Sequence, residues 1–114
     1  MAKSLEVDRS NLEYGFELIQ EILKFRPYTS ISFQSSDKII NAVQETKRLA
    51  KWGFAKNRHK MKAASINILD IILSCEPEEP VNLNLSKYEL KSLKALAKLI
   101  KQSVEKQKDG LALN

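Results

Sequence analysis

The sequence predicts an all-α protein, a single-domain antiparallel four-helix bundle with a flexible N-terminal arm and C-terminal tail. Three observations predict it. Four segments repeat apolar residues at three- and four-residue spacing, the period that gathers side chains on one helix face. The links between them are short or punctuated by proline and serine, which favours neighbours running in opposite directions. A chain of 114 residues and 13.0 kDa is long enough for one hydrophobic core and too short for two. The whole chain is therefore read as one domain, with an ordered core over about residues 10–106. Its 43% apolar and 29% charged residues are the proportions of a folded globular chain rather than a disordered one.

Met1 to Arg9 reads as a loosely held arm. Ser10-Asn11-Leu12-Glu13 then matches the capping box, in which a serine and the third following glutamate satisfy each other's backbone N–H groups, so the first helix is expected to begin there. Leu12, Phe16, Ile19, Ile22 and Leu23 form its apolar face, widened by Tyr14, Leu18 and Phe25. Pro27 ends it, because proline disfavours the α conformation of Arg26 and supplies no donor. Between Tyr28 and Ser36, Ile31 and Phe33 alternate with serines, a pattern compatible with a short strand. No partner strand is evident, so an extended loop is expected.

Ser35 or Ser36 is the expected cap of a second helix from about Asp37 to Trp52 or beyond, with Ile39, Ile40, Val43, Leu49 and Ala50 as its stripe. Gly53 is a natural terminus. A helix absorbs one glycine at about 1 kcal/mol, however, which leaves open a single bent rod through the second and third helices. From about Arg58 the rhythm resumes as Met61, Ala64, Ile68, Ile71 and Ile72. That segment is apolar nearly all round, and is expected to be the most buried element, with Ile68 and Ile72 at the centre of the core. Glu76-Pro77-Glu78-Glu79-Pro80 ends it, its carboxylates read as solvated. Val81 to Leu85 leads into a second capping box, Ser86-Lys87-Tyr88-Glu89, and a fourth helix with Leu90, Leu93, Ala97, Ile100 and Val104 in strict rhythm. The chain turns polar from Gln107, and Gly110 precedes a tail expected to fray.

Chemistry-bearing residues are sparse. Cys75 is the one cysteine, which excludes an intrachain disulfide and a multi-cysteine zinc site, and its place at the end of INILDIILSC reads as a small buried hydrophobe. His59 is the one histidine, so no histidine pair can form within a chain. There are three glycines and no glycine-rich phosphate loop, and no nucleophile stands at a recognisable spacing from a base. The expectation is a non-enzymatic protein without cofactor or metal. The N-terminus lacks an apolar signal segment, and no unbroken apolar run exceeds three residues, so no membrane partner and a cytoplasmic location are expected.

The best lead is KRLAKWGFAKNRHKMK, Lys47 to Lys62, with seven lysines and arginines and no acid in a chain of net charge +5 and pI near 9.4. Such charge favours polyanionic partners. Cations in the last turns of the second helix suit its macrodipole, whereas those at the start of the third do not, which points to a purpose other than helix stability. Lys47, Arg48, Lys51, Lys56, Arg58, Lys60 and Lys62 are the expected phosphate contacts to DNA or RNA, with Trp52 stacking on a base and Phe54 beside it. The plainer reading has Trp52 and Phe54 plugging the end of the core under solvated charges. Lys87, Lys91, Lys94, Lys98 and Lys101 line the fourth helix opposite its leucines, ordinarily a solvated face. They would merge with the first cluster if that helix packed beside the connection between the second and third. The alternative function is a protein–protein interaction module, an adaptor, inhibitor, subunit or homodimer, using Leu96 and Leu99 as an apolar strip for a second chain.

Overall fold

The computed structural model describes residues 8–24 and 30–113 and contains the four helices: α1 (Arg9–Lys24), α2 (Asp37–Gly53), α3 (His59–Leu73) and α4 (Lys87–Leu113). Two strands, β1 (Ser30–Gln34) and β2 (Pro80–Asn84), join α1 to α2 and α3 to α4. The expected N-terminal arm lies almost wholly outside the described residues, as does Pro27. α1 ends at Lys24, just before that proline's segment.

Each helix start has a local cause. α1 begins earlier than the Ser10 capping box implies, because Asp8 takes the cap: its Oδ1 accepts from the Asn11 N–H at 3.0 Å and its C=O from Leu12 at 3.0 Å. Glu13 is drawn instead to Arg9 one turn back, at 2.8 Å. α2 is capped by Ser36, whose Oγ accepts from the Ile39 N–H at 3.2 Å. α4 has the full reciprocal box, Glu89 N–H to Ser86 Oγ at 3.1 Å and Ser86 N–H to Glu89 Oε1 at 2.9 Å. α2 and α3 are separate helices, divided after Gly53 by Phe54, Ala55 and a single 3₁₀ turn, Lys56–Arg58. α4 runs through Gly110 to Leu113. Its 27 residues span about 40 Å at 1.5 Å each, which accounts for the 43 Å long axis of the molecule.

The extended loop expected at Tyr28–Ser36 is corrected to a paired strand. β1 runs antiparallel to β2 with Phe33 opposite Val81 and Ser30 opposite Asn84. The partner went unseen because Pro80 and two asparagines mask it, yet Val81 and Leu83 alternate with exposed Pro80, Asn82 and Asn84, the period of a half-buried strand. Ser35 extends the junction, donating its N–H to Glu79 C=O at 3.0 Å and accepting from Glu78 N–H at 2.9 Å. Gln34 Nε2 reaches the Glu78 C=O at 2.9 Å. The proline-rich acidic loop is thereby tied down, and Glu78 adopts the positive φ of 75° that the turn requires.

α1 and α3 each lie against both α2 and α4, which also meet across the centre. The core is built from Leu12, Ile19, Ile22, Val43, Leu49, Ile68, Leu69, Ile72, Leu93, Leu96 and Ile100, with Val81, Leu83 and Leu85 closing the strand end. Ile68 and Ile72 are central, as expected. α3 as a whole is not the most buried element. It buries Ser65, Ile68, Leu69 and Ile72, whereas α2 buries Ile39, Ala42, Val43, Thr46, Leu49 and Ala50. Having helices on two sides only, α3 leaves Ile71 38% exposed despite its apolar character. Two close approaches set the helix crossings. Gly15 of α1 meets Thr46 of α2, with no room for a Cβ, and Ser65 Oγ of α3 donates to Ser92 C=O of α4 at 3.3 Å.

Candidate nucleic-acid interface

Both strands sit on the links at one end of the bundle, so the α2–α3 connection falls at the other. The chain turns there through Gly53, Phe54, Ala55 and the 3₁₀ turn. Lys51, Lys56, Arg58, His59 and Lys60 are exposed and Lys62 is half-buried. The two aromatic residues part company. Phe54 packs against the core, while Trp52 projects into solvent at 74% exposure. Trp52 therefore does not plug the end of the core, and an indole so exposed presents its ring to any planar partner.

The seven sequence-predicted cations divide into two groups. Lys47 Nζ lies 2.6 Å from Asp70 Oδ1, tying α2 to α3, and Arg48 Nη1 lies 3.0 Å from Glu45 Oε1. Glu45 in turn accepts from the Asp8 N–H through its other oxygen, so Arg48 belongs to a network that anchors the start of α1. These two cations serve the fold first. Lys51, Lys56, Arg58, Lys60 and Lys62 have no carboxylate partner among the described residues. They run from the last turn of α2 through the connection into the start of α3, which alone of the four helix starts has neither a side-chain cap nor an acid in its first turn. Helix N–H groups flanked by cations make a locally positive surface, with no carboxylate paired to those cations among the described residues.

The connection also packs beside α4, which brings the second basic feature in. Gly53, Phe54, Ala55 and Arg58 face Ala95, Lys98, Leu99 and Gln102 across an open groove of about 270 Å³. Lys98 thus joins the cluster, while Lys91 does not line this groove. The sequence offered Lys98 only conditionally, as one of the α4 lysines that would join the cluster if α4 packed beside the connection, and gave no sign of Gln102, because only that packing puts them there.

The chain matches no protein-family model, no curated protein and no solved structure. The site is read from its own chemistry.

The expected apolar strip needs correction. Leu96 is 0% exposed, at the centre of the chain's own core, and Leu99 is half-buried against it beside Gly53. The wide apolar arc of α4 is used up within the bundle, since α4 touches α1, α2 and α3. An apolar surface does occur elsewhere. Phe16 of α1 and Ile100 and Val104 of α4 line a groove of about 440 Å³ rimmed by Glu13, Glu17 and Glu105 together with Lys101. Of the remaining candidates, Cys75 is half-buried with its Sγ 3.6 Å from the Ile71 C=O, and no three metal-ligating side chains converge among the described residues. No helix among those residues is long and apolar enough to cross a membrane.

Proposed function

We propose that this protein is a non-enzymatic accessory protein that binds nucleic acid mainly through phosphate contacts of the basic end of the bundle. The observation that carries the reading is the set of five cations, Lys51, Lys56, Arg58, Lys60 and Lys62, without a carboxylate partner among the described residues and carried by the same helix junction as an exposed Trp52. Repeating phosphates neutralise such a set with release of condensed counterions, the main source of sequence-independent affinity. The Trp52 ring supplies what a phosphate surface alone lacks, a platform for an unpaired base, so single strands are the preferred form.

Titration of labelled single-stranded and duplex DNA and RNA at low salt tests this. Binding should quench Trp52 fluorescence. The Arg58→Gln/Lys62→Gln double variant should bind unrelated sequences more weakly while melting like wild type. Absence of binding to every form would overturn the proposal. A protein-interaction reading would then rest on the groove of Phe16, Ile100 and Val104, rimmed by three glutamates and Lys101, rather than on Leu96 and Leu99.

A further inference from the structure

We infer that the groove between the α2–α3 connection and α4 is a seat for one phosphodiester, gripped by Arg58 from one wall and Lys98 from the other, with Gln102 donating beside Lys98. The inference rests on the phosphate reading of the basic end and adds to it a defined subsite with residues from a helix outside the basic stretch.

The walls carry the argument. Arg58, Lys98 and Gln102 are the polar side chains of the groove, all three donors, and no carboxylate lines it. Two cations facing one gap repel each other, and neither has an ion pair among the described residues. An anion between them turns that repulsion into two attractions. The floor is Gly53, Phe54, Ala55, Ala95 and Leu99, so a bound anion is shielded from water on its inner side, where charge-assisted hydrogen bonds gain strength. Gly53 keeps this floor tight. A Cβ there would stand 3.1 Å from Leu99 Cδ2, so a larger residue would push the connection away from α4. Trp52 directly precedes Gly53, which places an exposed ring next in the chain to the groove. A phosphate is favoured over an isolated carboxylate because Lys51, Lys56, Lys60 and Lys62 continue the positive charge along the same end of the bundle, as the next phosphates of a strand would need.

Fluorescence anisotropy with a labelled single-stranded DNA 20-mer over a series of salt concentrations tests the seat. Lys98→Gln should flatten the log–log slope by about 0.7 unit, as Arg58→Gln does, while Lys91→Gln on the same exposed helix leaves it unchanged. The Arg58→Gln/Lys98→Gln pair should flatten it by less than the two singly, because both cations act on one phosphate. All three positions are exposed, and matching thermal melts would confirm that folding is unaffected. If Lys98→Gln behaves like Lys91→Gln while Arg58→Gln weakens binding, the seat is overturned and the basic end remains the binding surface. If wild type does not bind, both fall. A polyglutamate of equal charge that displaces the DNA as well as unlabelled DNA does would overturn the phosphate preference.

Discussion

Gly15→Ala in α1 should destabilise the protein, although alanine is the better helix former. An ideal Cβ at Gly15 would lie 2.2 Å from Thr46 Oγ1, where ordinary contact begins near 3.4 Å, so more than an ångström must be recovered between two packed helices. Thr46 cannot simply turn aside. It is buried, and its hydroxyl donates to the Ala42 C=O at 2.8 Å, a bond that rotation would break. Overpacking of this kind costs about 1–3 kcal/mol, here toward the upper end, against about 1 kcal/mol gained in helix propensity. The net loss is about 1–2 kcal/mol, or roughly 4–8 °C in melting temperature for a domain this size. Thr46→Ala removes the obstructing oxygen. In that background Gly15→Ala should stabilise by about 1 kcal/mol, reversing its sign and giving a coupling of about 2–3 kcal/mol. Thermal or urea melts of the four proteins measure it. Additive effects of the two substitutions would refute the α1–α2 crossing described above.

Ser86→Ala breaks the reciprocal cap of α4 and should cost about 1 kcal/mol in a urea melt. Ile72→Ala opens a cavity in the core, with a cost of about 2–5 kcal/mol by the same measurement, whereas Ile71→Ala on the outer side of α3 should cost far less. Lys47→Gln should weaken oligonucleotide binding less than Lys60→Gln does in side-by-side anisotropy titrations, because Lys47 already holds Asp70.

The helices were legible in the sequence because each writes its periodicity locally, and α2 and α4 write their caps as well. Ser36, Ser86 and Glu89 act within three residues of their partners, and Leu90, Leu93, Ala97 and Ile100 repeat at helical spacing. What escaped was set by contacts distant in the chain. β1 has meaning only through β2, some fifty residues on, and β2's own alternation was hidden by its proline and asparagines. Gly15 lies at the centre of the α1–α2 contact but adds nothing to an apolar count. Leu96 looked surplus to the α4 stripe because a pattern cannot show that α4 is contacted by three helices. The site divides the same way. The basic run was visible as composition, and the Arg48–Glu45 pair was readable at three-residue spacing. The capture of Lys47 by Asp70 and the arrival of Lys98 beside Arg58 required the helices to be placed.

The central claim is that the basic end of the bundle binds phosphates, and the salt dependence of wild-type affinity tests it most directly. Five cations without a carboxylate partner among the described residues, each contacting a single strand, predict a slope of log affinity against log salt of about −3.5, at roughly 0.7 per contact. Flattening by about 1.4 is expected when Arg58 and Lys62 are both glutamine, again at 0.7 per contact. A wild-type slope near zero, or no binding at the lowest salt, would contradict the account.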